Sequence, residues 1–171
     1  LHAALEQLEQ AELLYRSAPP PDLRYSFRHA LVQDAAYESL LKSRRQQLHQ
    51  RIARVLEDRF PAIAEAEPEI LAHHFSRAGL ADQACRYYER AGDRAAARSA
   101  YAEAVSHFDA ALAEANRLPA GQERSRRELA VLLKYGPAVV VFKGMRSPEG
   151  EQAYQRAHDL AETLRDEKGL F

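Results

Sequence analysis

The chain has 171 residues, 46% of them apolar and 29% charged, a balance that excludes wholesale disorder. Its 24 Lys and Arg against 25 Asp and Glu leave no charge excess of the kind that draws a protein to nucleic acid or an anionic membrane. Alanine occurs 32 times and leucine 21 times, whereas valine, isoleucine and threonine together number 11. Pleated sheets need β-branched residues to cover their faces, so this composition predicts a mainly α fold. Cys85 is the single cysteine and has no partner for an intrachain disulfide. With no signal peptide, a reducing cytoplasm is the expected location. The longest apolar run, Pro137 to Phe142, is far short of the ~20 residues of a membrane span. The chain opens at Leu1 and its only methionine is Met145, so a piece of a longer protein is expected.

In chain order, Leu1, Leu5 and Leu8 lie at helical spacing and predict a helix running into a strand. Leu23, Tyr25 and Phe27 then alternate with Arg24, Ser26 and Arg28, the two-residue period of a strand. Leu13, Leu14 and Tyr15 supply its partner, and Ser17 to Asp22, with three prolines that lack an N–H, form a stiff tip. The reading is one antiparallel hairpin over roughly residues 12–28. His29 to Leu41 then reads as a helix with Leu31, Ala35, Leu40 and Leu41 on one face. Ser43 to Phe60 reads as another, capped by Ser43, with Leu48, Ile52, Val55 and Leu56 facing inward.

Pro61 should end that helix and open an acidic, alanine-rich linker closed by Pro68. Helices are expected over Glu69 to Ala78, stopped by Gly79, then Leu80 to Arg98 and Tyr101 to Leu118. Pro119-Ala120-Gly121 breaks the pattern. A helix from Gln122 should kink at Gly136-Pro137, and Pro148 suits the first turn of a last helix ending near Glu167.

Tyr88, Ala91, Gly92, Ala95, Ala104, Phe108 and Ala111 occupy the bulky and small positions of a helix–turn–helix repeat about 34 residues long. Small residues let two helices approach while Tyr88 and Phe108 fill the gaps. Asn116 stands where such a repeat closes with proline, and Pro119 is displaced from it. An overlapping, imperfect copy runs through Ala72, Phe75, Ala84 and Tyr88. The expected architecture is a tetratricopeptide-like antiparallel solenoid preceded by a small helix, hairpin and helix segment of winged-helix order.

No phosphate loop, metalloprotease helix, cysteine cluster or nucleophile elbow occurs, so no catalytic site and no cofactor or metal is expected within this chain. His73 and His74 point about 100° apart on a helix and suit a helix interface better than a shared ion. His107 and His158 read as lone helix residues. Lys42, Arg44, Arg45, Arg51 and Arg54 form the densest basic stretch, either a solvated helix face or a phosphate grip. Cys85, beside Arg86 and one residue from the small position Ala84, reads as a half-buried structural cysteine.

The segment Tyr25-Ser26-Phe27-Arg28-His29-Ala30-Leu31-Val32-Gln33-Asp34-Ala35-Ala36-Tyr37-Glu38-Ser39-Leu40-Leu41-Lys42-Ser43-Arg44-Arg45-Gln46-Gln47-Leu48-His49 is distinctive. It resembles bacterial multidomain signalling proteins that join a class III adenylate/guanylate cyclase-type domain to a STAND-type regulatory ATPase and tetratricopeptide repeats. Leu71-Ala72-His73-His74-Phe75 with Ala78-Gly79, and Leu133 through Gly136-Pro137-Ala138 to Ser147-Pro148-Glu149, resemble the same family. The resemblance implies that residues 1–60 end the winged-helix part of the ATPase module and that residues 61–171 begin the repeats. It places the cyclase domain and phosphate loop upstream. Phe27-Arg28-His29-Ala30-Leu31 resembles the family's phosphate-sensing histidine motif, with Ala30 where an aspartate is usual, which makes His29 a nucleotide-facing residue of the whole protein. A histidine where a strand meets a helix N-terminus suits an anion, and equally suits capping its own helix.

These readings converge on a non-catalytic scaffold of a cytoplasmic signalling protein. Its partners would be a protein, a peptide or the upstream nucleotide-using domains, with no membrane contact and with self-association through uncovered apolar faces. The alternative is a winged-helix DNA-binding regulator using the hairpin and the 42–54 basic stretch, although the neutral net charge weighs against nucleic acid.

Overall fold

The alanine-rich, β-poor chain folds almost entirely as helix. A computed structural model describes residues 2–16 and 25–168, and among them nine helices flank one two-stranded ladder. The contacts divide into two compact units, residues 1–45 and 46–171.

In the first unit α1 (His2–Gln10) leads into β1 (Leu14–Arg16), which pairs antiparallel with β2 (Tyr25–Phe27) in the register Leu14 to Phe27, Tyr15 to Ser26 and Arg16 to Tyr25. Leu14 is the buried member of β1. The expected Leu1 and Leu23 positions and the tip at Ser17 to Asp22 lie outside the described residues. Helix α2 (Ala30–Glu38) follows, and here the expected apolar face is not buried. Leu31 is 82% exposed and Leu41 77%, because a nine-residue helix beside a three-residue strand finds too little surface to cover it.

Helix α3 (Lys42–Arg59) begins one residue before Ser43, so Ser43 lies inside the helix and not at its cap. Its inward face also differs from expectation. Ala53 is fully buried and Leu56 packs beside it, whereas Ile52 and Val55 are exposed. The later half of α3 thus belongs to the second unit's core, and the division falls within α3 instead of at residue 60. The expected 61–68 linker is mostly helix, α4 (Pro61–Ala66), because proline is well tolerated in a first helical turn where its missing N–H has no partner to lose.

From there α5 (Pro68–Ala78), α6 (Ala81–Ala97), α7 (Tyr101–Ala115) and α8 (Gln122–Lys143) each pack on the helix before and the helix after, and α9 (Pro148–Lys168) packs on α8. Gly79 closes α5 at φ +80°, a left-handed turn that side chains resist. The Ser147 hydroxyl accepts the Gly150 N–H at 3.3 Å and caps α9. Ala53, Leu71, Ala72, Phe75, Ala84 and Tyr87 form one core among α3, α5 and α6, joined by Ala64 of α4. Ala95, Ala104, Phe108 and Ala111 continue into a second with Val131, Val139, Ala153, Ala157 and Leu160.

Two close approaches organise that second core. A Cβ on Gly92 would lie 2.4 Å from the Phe108 ring, and one on Gly136 would lie 3.1 Å from the Tyr154 ring. Each glycine is therefore a seat for an aromatic ring of the next helix. Polar ties link alternate helices as well: Ser76 of α5 donates to Glu114 of α7 at 2.6 Å, and Lys134 of α8 meets Glu89 and Asp93 of α6 at 2.5 and 2.7 Å.

Helix α8 continues through Gly136-Pro137, with Pro137 inside the helix. Proline there removes the hydrogen bond to the Leu133 carbonyl, but Leu133 and Pro137 sit on the exposed face, where water can take that carbonyl. Replacing Pro137 by alanine should therefore stabilise the chain by about 1–3 kcal/mol, while Gly79→Ala should destabilise it by about 1 kcal/mol, both read from denaturant unfolding.

Candidate functional site

The sequence-predicted residues fall into three separate places. His29 stands at the N-terminus of α2 with extended backbone, φ −130° and ψ 127°. It is exposed and makes no side-chain cap, so the self-capping role is not the one its side chain plays. The Val32 and Gln33 N–H groups turn back to the His29 carbonyl at 3.1 and 3.2 Å, and the ring is left exposed at the helix start.

The basic stretch is divided between the two units. Arg45, in the first, pairs with Glu38 and lies over the Tyr37 ring at 5.1 Å, so its charge is engaged locally. Lys42 and Arg44 are exposed on the same turn. Arg51 and Arg54, in the second unit, line a shallow groove of about 310 Å³ with Gln47, Gln50, Val55, Asp58 and Arg59. Asp58 offsets part of its positive charge.

The repeat-packing residues come together. Ala91, Gly92, Ala95, Ala104, Phe108 and Ala111 are buried and Tyr88 is half-buried against them, with the Phe108 ring on Gly92. Around them lie groups that sequence reading missed. Glu114 is 6% exposed, and Ser76 and Arg117 both donate to it, Arg117 at 2.8 and 2.9 Å. Glu128 is 8% exposed and takes a two-pronged bond from Arg156 at 2.8 and 3.0 Å. A buried carboxylate is tolerable when charged donors satisfy both oxygens, and these do. The i,i+3 spacing of Glu114 and Arg117 was readable in the sequence, but the Glu128–Arg156 pairing spans two helices and left no local signal.

Cys85 is fully buried, more deeply than expected. Burial pushes its thiol up to about 12, outweighing the nearby Arg127 guanidinium. It is a packing residue with no nucleophilic character. His73 is exposed, whereas His74 is half-buried with its Nδ1 2.8 Å from Nδ1 of His49 on α3. The histidines thus serve a helix interface, with His49 a partner that no sequence spacing indicated. His107 faces Glu103 at 3.5 Å, and His158 lies 3.8 Å from Glu162. Among the described residues no group of three or more His, Cys, Asp or Glu is arranged to hold a metal ion, and no helix is long and apolar enough to cross a membrane.

The largest exposed apolar side chains of the second unit gather toward the end of α8. Leu133 and Val141 are each 59% exposed and Met145 86%, with Phe142 and Tyr154 about half exposed. Val140, Met145 and Tyr154 line a groove of about 610 Å³ with Gly150, Glu151 and Gln155. Val141 and Phe142 line another with Tyr101, about 410 Å³ in volume. The first also takes in Arg146 and Ser147, and the second Glu103.

Over 158 residues, 92% of its length, the chain is 28% identical to an uncharacterized protein of Rhizobium meliloti (strain 1021). The chain spans 15% of that protein's length. No protein-family profile and no solved structure matches the chain.

The burial of Cys85 has a direct chemical consequence. At pH 8 the native chain should react with a thiol-specific disulfide reagent at least about a hundredfold more slowly than the chain in denaturant, because both thiolate fraction and access are suppressed.

Proposed function

We propose that this chain is a non-catalytic, tetratricopeptide-like scaffold within a larger signalling protein. It acts through contacts with a protein partner or with nucleotide-using domains of the same protein. The observation that carries the reading is the repetition of one packing unit. In α6 and α7, Gly92 receives Phe108, and Ala104 and Ala111 flank that ring at four residues before and three after. In α8 and α9, Gly136 receives Tyr154, flanked at the same spacings by Gly150 and Ala157. The stripe of small, aromatic and small residues opposite a glycine thus recurs once, with a looser approach of 3.1 Å against 2.4 Å, which supports a repeated helix pair longer than the about 34 residues expected.

The cross-ties support the same reading. Ser76 to Glu114 sets α5 beside α7, and Lys134 to Glu89 and Asp93 sets α6 beside α8. These ties favour a two-layer arrangement of odd and even helices, which a solenoid would have. The span of the chain within its much longer relative is consistent with a region that works on other domains. His29, at an uncapped helix start, is then the residue that would face a nucleotide phosphate supplied by those domains, and the first unit would be the end of a winged-helix segment in a cytoplasmic protein.

Two measurements test this. Isothermal titration of the chain with ATP, ADP and cyclic nucleotides should show no binding, and a mobility-shift assay with duplex DNA at low salt should show none either. In the full-length parent, deleting residues 61–171 should change the nucleotide-dependent output severalfold. Nucleotide turnover by the chain alone, salt-sensitive DNA binding that depends on Arg51 and Arg54, or an output indifferent to the deletion would each overturn the reading.

A further inference from the structure

Helix α3 meets α5 through imidazoles as well as through apolar side chains. The Nδ1 atoms of His49 and His74 lie 2.8 Å apart with ring centroids at 5.1 Å, a hydrogen-bond distance. Two ring nitrogens at this separation need one N–H and one lone pair, so at least one Nδ1 must be unprotonated. His73 stands edge-on to both rings, its centroid 5.9 Å from that of His49 and 5.6 Å from that of His74. Arg77, on the same helix as His73 and His74, adds a fixed positive charge that acts on His49. On the α3 side Gln46, which reaches to Gly79, is neutral. A second proton on this pair would therefore break its bond and set like charges together.

We propose that His49 and His74 form a pH-sensitive latch that holds the start of α3's buried stretch on α5 at neutral pH and releases it on acidification. The apolar contacts of Ala53 and Leu56, and the bond from the Tyr87 hydroxyl to Glu57 at 2.7 Å, lie further along α3 and do not involve the imidazoles. Acid should thus loosen the segment around His49 and leave the rest of α3 and the α7–α9 core in place.

The direction of the effect follows from burial. Burial first, then His73 and Arg77, lowers the His49 pKa. Burial first, then His49 and His73, lowers that of His74 from 6.5 to about 4. A histidine whose folded pKa lies below its unfolded value contributes stability that is fully present above about 6.5 and is lost as pH falls toward the folded value near 4. By pH 5.5 the opening equilibrium of this contact should have shifted toward the open form about tenfold.

The test is amide hydrogen exchange of the whole chain between pH 7.5 and 5.5, corrected for the intrinsic pH dependence of exchange. Protection around residues 46–50 should fall about tenfold while α7–α9 stays unchanged. The His49→Gln/His74→Gln chain should lose this selective pH response, and His73→Gln should retain it. Proton NMR of the unaltered chain needs no variant: the His74 ring should titrate well below the 6.5 of a free imidazole. A His74 midpoint near 6.5, protection that does not change with pH, or the same acid-induced opening in the double variant would overturn the latch.

Discussion

The packing of the second unit depends on an absence: Gly92 has no side chain, and Phe108 occupies the space one would need. A Cβ at that position would sit 2.4 Å from the ring, closer than carbon atoms tolerate, and Phe108 is itself 1% exposed and cannot retreat. The approach of α6 to α7 is therefore fixed by one glycine and one ring. Ala95, Ala104 and Ala111, all buried in the same core, extend the small-residue contact along both helices. Gly136 and Tyr154 repeat the arrangement more loosely at 3.1 Å, with Tyr154 half exposed, so the outer pair has more room to adjust.

Such close helices leave little apolar area per contact, and polar ties supply part of the specificity. Glu114 draws Ser76 and Arg117 together, which ties α5 to the end of α7. Glu128 on α8 binds Arg156 on α9, with the guanidinium half exposed, so its value lies more in fixing register than in raw stability. Lys134 spans to Glu89 and Asp93 and holds alternate helices side by side. Interactions of this kind decide which neighbours a helix accepts while the alanine seams decide how near it comes.

Much of this was legible in the sequence, and the failures have physical causes. The helices from α5 onward followed from alanine richness, Gly79 and the Pro119-Ala120-Gly121 break, because strong local propensity and punctuation agreed. The apolar face assigned to α2 was misplaced, since periodicity identifies a face but not whether anything covers it. In α3, Ile52 and Val55 attracted the inward assignment by hydrophobicity, yet the buried contact falls on Ala53 with Leu56 beside it. Pro61 read as a stop for α3, which does end at Arg59, but it also opens α4 where a linker was expected. His49 was invisible as a partner of His74, because a pairing across 25 residues has no local signature.

The proposed scaffold role rests on the two glycine seats being energetic couplings and not coincidences of packing. A double-mutant cycle measures this most directly: Gly92→Ala, Phe108→Leu and the two combined, each followed by denaturant unfolding. The account predicts that Gly92→Ala costs about 1–3 kcal/mol beside Phe108 and at least about 1 kcal/mol less beside leucine, which vacates the ring's space. Penalties that simply add would contradict the claim that this contact sets the spacing of the helices.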